Sequence, residues 1–102
     1  MEAIVQSKEF CPKDGRGVKE YHSFIRIPQA GQPYGEQMEA VVSALERLSA
    51  GSEVKFVRFF LSDASNQQPS LADAVSSFSF PISYIQQPPL DGTKIAAWVY
   101  ST

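Results

Sequence analysis

Apolar and polar positions along the chain follow two periods, and the points where one gives way to the other outline the elements. Ala3-Ile4-Val5 opens a short strand-like run that stops at Cys11-Pro12. Lys13-Asp14-Gly15-Arg16-Gly17 comes next, and Asp-Gly marks a turn because glycine takes positive φ without steric cost. Val18 to Ile27 reads as a second strand, with Phe24-Ile25-Arg26-Ile27 as its apolar end and Pro28 as its stop. An N-terminal hairpin is expected. Gln29 to Pro33, rich in Gly, Gln and Pro, is a loop.

The period then lengthens. From Tyr34 to Leu48, Met38, Val41, Val42, Leu45 and Leu48 recur at helical spacing and form one apolar stripe. Glu36, Glu39, Ser43, Glu46 and Arg47 fill the solvated side. Gly51 is placed to end this helix in the left-handed conformation. Val54 to Leu61 is a strand with apolar residues on both faces: Val54, Phe56 and Phe60 against Val57, Phe59 and Leu61. A strand backed by water alternates polar with apolar, so this one needs two covers, and the simplest second cover for so short a chain is another subunit.

Ser70-Leu71-Ala72-Asp73 has the form of a capping box, and Leu71, Ala74, Val75 and Phe78 continue it as a second, shorter helix. Ile82 to Ile85 is a strand, and Gln86-Gln87-Pro88-Pro89-Leu90-Asp91-Gly92 is a loop. Lys94 to Tyr100 closes the series, again apolar on both faces, with Ile95, Ala97 and Val99 opposite Ala96, Trp98 and Tyr100. The order is β-β-α-β-α-β-β. It predicts an α+β fold, one layer of mostly antiparallel sheet with two helices on one face.

With 102 residues, the chain is expected to form a single domain, residues 1–102. It is 43% hydrophobic and 20% charged, which disfavours disorder and fibrous repeats. Nine Lys and Arg against 11 Asp and Glu leave a net charge of -2, a poor footprint for a nucleic-acid binder. The single Cys11 has no internal disulfide partner, no Cys/His cluster suits a metal, and no cofactor is expected. No apolar run nears the roughly 20 residues that span a bilayer, and Met1-Glu2 opens no signal segment. These features predict a soluble, cytoplasmic protein without a membrane partner.

Several segments resemble the reactive intermediate deaminase family, RidA or YjgF, whose members are often labelled endoribonuclease L-PSP. They are Gly35-Glu36-Gln37, Leu45 to Gly51, Glu53 to Asp63, and Pro88-Pro89-Leu90 with the strand after it. The resemblance covers the chain from Gly35 to Tyr100. It implies a chorismate-mutase-like fold, a homotrimer with the bare sheet faces packed inside, and small-molecule clefts between subunits.

In family members that hydrolyse enamines and imines, an arginine opening the strand before the Pro-containing turn clamps the substrate carboxylate. Here Ser79 or Phe80 stands there, and no arginine follows Arg58. The family's glutamate on the last strand falls near Lys94 or Ala96, and its asparagine at the second helix falls near Leu71. A serine offers one donor and no charge in place of a bidentate guanidinium. The resemblance therefore implies a divergent member without the standard deaminase residues, and no catalytic residue is assigned.

Outside that pattern, His22 reads as a plain strand histidine and Cys11 as an ordinary thiol. Arg58 falls between Phe56 and Phe60, where an unpaired charge is costly. It is either a cation for a small anionic metabolite in an intersubunit cleft or a paired arginine at an interface. Gln86 and Gln87 are cleft donors or a polar loop, and Ser79 completes the candidate set. Arg26 is a weaker candidate. Three functions stay open. The first is a trimeric metabolite-binding protein. The second is an active enamine/imine deaminase with relocated catalytic groups, and the third is a regulatory or structural domain of a longer protein.

Overall fold

The computed structural model describes residues 2–10, 19–29, 31–89 and 92–102. The Asp14-Gly15 turn, Cys11 and Asp91 lie outside them. The hairpin forms as expected: β1 (Ile4–Phe10) runs antiparallel to β2 (Glu20–Arg26), with Ile4 opposite Arg26 and Phe10 opposite Glu20.

Helix α1 (Tyr34–Gly51) starts after Pro33, whose carbonyl accepts the N–H groups of Glu36 at 3.1 Å and Gln37 at 3.2 Å. Its stripe packs as its spacing predicts, with Val41, Val42 and Leu45 buried and Met38 and Leu48 half-buried. Its end differs from the expectation. Gly51 is the last helical residue and does not take positive φ, which among the described residues belongs to Gly31 and Gly92. Ser52 stops the helix instead, its N–H and its hydroxyl both donating to the Leu48 carbonyl, at 3.0 and 2.9 Å. A hydroxyl cap needs no left-handed residue.

Strand β3 (Val54–Leu61) leads into α2 (Ala64–Ala74), β4 (Ile82–Gln86) and β5 (Ile95–Ser101). The second helix begins at Ala64, ahead of Ser70, so the capping box does not form. Ser70 sits inside the helix, and its hydroxyl donates to the Gln67 carbonyl at 3.1 Å. The start is organised by Gln67, whose Oε1 accepts the Asp63 N–H at 3.0 Å and whose Nε2 donates to Ser62 Oγ at 2.9 Å. Pro69 lies within this helix, where it has no N–H to give to the preceding turn.

The strand order is β1-β2-β5-β3-β4, antiparallel except for the parallel β3–β4 pair. Both helices cover one face. Between them and the sheet, Ile25, Val57, Phe59, Leu61, Leu71, Ile95, Ala97 and Val99 form a core closed to water. A bulge at Lys55 sets Val54 opposite Ser101 while Phe56 faces Tyr100. That extra residue turns Val54 into the helix-side core, away from the Phe56 and Phe60 face that strict alternation assigned it.

Candidate functional site

The second face of the sheet carries no layer among the described residues. Register places on it His22 and Phe24 from β2, Trp98, Tyr100 and Ala96 from β5, Phe56, Arg58 and Phe60 from β3, and Ile85 from β4. Trp98 is central, directly opposite Phe24 on one side and Arg58 on the other. The rings touch in two groups, one of four around Trp98 and one pair, Phe24 with Phe60. His22 lies 5.6 Å from Trp98 and 5.3 Å from Tyr100 between ring centroids, Phe56 lies 6.0 Å from Trp98, and Phe24 lies 6.2 Å from Phe60. Such tilted and edge-on contacts match the preferred geometry of aromatic pairs. Neighbouring rings shield one another, so Phe60 and Trp98 are half-buried on this face and not part of the helix-side core, while Phe24 is exposed.

Two polar features punctuate the network. The Arg58 guanidinium sits 5.5 Å from the Phe56 ring centroid, a cation–π arrangement, and its side chain remains exposed. At the other end the Tyr100 hydroxyl donates to Glu20 Oε1 at 2.7 Å. That hydrogen bond to a carboxylate holds the phenol's pKa above its ordinary value, with burial and the repulsion of Glu20's charge acting in the same direction.

The remaining candidates lie along the β4 edge. Ser79 is exposed in the segment before β4. Gln86 ends β4, and its Oε1 accepts the Ala64 N–H at 3.3 Å, so it is tied to the start of α2. Gln87 follows it, exposed. Arg58 pairs with Ser83 and Gln86 pairs with Leu61, and these registers have opposite parity. The two side chains therefore leave opposite faces of the sheet, and one protomer does not bring the four together. The β2 contribution to the aromatic network went unread in the sequence. Its signal was Phe24 beside Ile25, two large apolar side chains of opposite facing on that strand.

A single mixed sheet with both helices on one face is a fold class, and in this fold the chain is YjgF-like. It resembles a member of the YjgF protein family from Neisseria meningitidis at a TM-score of 0.54 and 11% identity, over 95% of this chain and 94% of that one. It also resembles a protein from Salmonella typhimurium described as a candidate translation initiation inhibitor, at a TM-score of 0.50 and 13% identity, over 94% and 96% of the two chains. No family sequence model and no curated protein sequence matches the chain. No helix among the described residues is long and apolar enough to cross a membrane.

Proposed function

We propose that this chain is a divergent RidA/YjgF-like protein that assembles as a homotrimer through its aromatic sheet face and binds a small anionic metabolite in the clefts between subunits. The observation that carries the reading is the uncovered network of Phe24, Phe56, Phe60, Trp98 and Tyr100. A contiguous apolar patch of this kind is an association surface far more often than a free one. Two further copies, each presenting the same face, would bury all three networks around one axis.

The β4 edge supports the placement of the clefts. As the last strand of the sheet it leaves one row of backbone N–H and C=O groups unpaired within the sheet, next to Ser79 and Gln87. Arg58 is the cation for the ligand, its charge brought out of water only as a neighbour closes over the face. Ser79, Gln86 and Gln87 supply neutral donors. Because Ser79 stands where a guanidinium would clamp a carboxylate, the reading expects weak binding of short 2-oxo acids and no release of ammonia from amino-acid-derived imines.

Sedimentation velocity at micromolar concentration tests the assembly: a three-chain species is expected, and a monodisperse monomer overturns it. Calorimetric titration with 2-oxobutyrate tests the cleft. Ser79→Arg should tighten binding by about tenfold or more, since a charge-assisted pair contributes about 1.5–3 kcal/mol. Tight binding by the unmodified protein, or imine hydrolysis above the uncatalysed rate, would show that another group has taken over the arginine's role.

A further inference from the structure

The chain holds a single histidine, and the fold sets it on the aromatic face of the sheet. Register places His22 of β2 between Lys8 of β1 and Tyr100 of β5, so the three form one row across the strands. The half-buried imidazole lies against two rings, Trp98 tilted beside it at 5.6 Å and Tyr100 edge-on at 5.3 Å between centroids. No carboxylate bonds to it among the described residues.

The groups around the ring decide what a proton on it costs. From β1 it meets the exposed Lys8, directly opposite. Its own strand brings Glu20 two residues before it and Arg26 four residues after, both on the same face. Glu20 accepts the Tyr100 hydroxyl at 2.7 Å, a bond that keeps the β5 phenol protonated above its ordinary range. From β3 the nearest cation is Arg58, across Trp98 and 5.5 Å from the Phe56 ring centroid. Strand register thus gives this face one carboxylate, already engaged, against the cations Lys8, Arg26 and Arg58. A protonated His22 adds a fourth positive charge.

In the free chain an imidazolium on this face keeps much of its water. The Trp98 ring attracts a cation, but it does so in the free and the assembled chain alike, so that term drops out of the difference. Closure of the face removes the water and leaves the charge beside Lys8 with no counter-charge of its own. A neutral imidazole escapes this cost and packs as one more ring.

We propose that His22 makes the assembly acid-sensitive: neutral, it packs within the contact surface, and protonated, it drives the chains apart. The inference rests on the homotrimer proposed above. The free chain takes up a proton that the assembly refuses. Association is therefore complete above the ordinary histidine range, near about pH 6.5, and weakens as pH falls through it. Each chain contributes up to about tenfold per pH unit below that range, and three chains multiply to about a thousandfold.

Sedimentation velocity on the full chain at about pH 7.5 and about pH 5.5, at one ionic strength, reads this directly, because histidine is the side chain whose ordinary titration falls in that interval. The association constant should drop by about a hundredfold or more at the lower pH, with unchanged far-ultraviolet circular dichroism, and recover when the pH is restored. His22→Phe keeps a ring without a charge and should assemble equally at both values. His22→Lys carries the charge throughout and should sediment as a monomer at both. Equal assembly of the unmodified chain at both values overturns this inference and leaves the proposed trimer standing, whereas a monomer at both removes the two together. Loss of the dichroism at the lower pH, a pH response that persists in His22→Phe, or assembly of His22→Lys also overturns it.

Discussion

Gln37 shows how much one polar residue on an apolar stripe can carry. It is 0% exposed, its Nε2 donates to the Gln32 carbonyl at 2.7 Å, and its Oε1 accepts the Lys94 N–H at 2.9 Å. Gln37→Leu fits the stripe but leaves both backbone groups without that partner. Urea unfolding should then show a loss of about 1–3 kcal/mol, the cost of stranding buried polar groups. The sequence held half of this: Gln37 lies one turn before Val41, a polar residue in an apolar row, but its partner at Lys94 is far along the chain and invisible to periodicity. Tyr100 supports a pH prediction. Its hydrogen bond to Glu20, with burial and the carboxylate's charge, raises the phenol's pKa above 10.0. Folding thus favours the protonated phenol; this contribution is complete below the ordinary tyrosine value and is lost as pH rises through the higher folded-state value. Burial raises Tyr34 and Tyr84 as well, so phenolate absorbance should show a late-titrating fraction that shrinks in Tyr100→Phe and of which one part titrates earlier in Glu20→Gln.

Among the elements, α1 and the strands were legible because each has a strong period, whereas α2 was misread at its start. Its first turn is Ala-Ser-Asn-Gln, polar apart from Ala64, and it is held by side-chain bonds from Gln67 and Gln86 that no spacing rule announces. Pro69 lies inside it. A proline inside a helix costs about 3 kcal/mol relative to alanine, while its stiffening of the unfolded chain returns about 0.4–1 kcal/mol. The first effect wins. Pro69→Ala should stabilise the protein by about 2 kcal/mol and raise the thermal midpoint by several degrees. The facing of Val54 escaped for a related reason: a bulge shifts parity, and one extra residue in a ladder leaves no mark in a hydrophobic pattern.

For the whole molecule, the argument from doubly apolar strands to a missing second layer rests on residues the sequence displayed plainly, Phe56 and Phe60 on β3 and Trp98 and Tyr100 on β5. The four candidate site residues do not come together within one chain, and nothing in their spacing could have shown that Arg58 and Gln86 leave opposite faces of the sheet. Phe60→Glu places a charge on the aromatic face without touching the helix-side core. The variant should keep its far-ultraviolet circular dichroism and sediment as a monomer. A variant that still assembles would mean that this face is not the contact surface.

The position of β5 between β2 and β3 has a consequence for how the chain comes together. The hairpin and the β3-α2-β4 unit share no strand pairing of their own; β5, which follows all of them in the chain, joins them. Until residues 95–101 emerge, the nascent chain is two half-sheets with open edges and exposed aromatics, the state most prone to sticking to its neighbours. Folding of the sheet therefore waits for β5, and a chain cut before residue 95 should yield two tethered half-sheets.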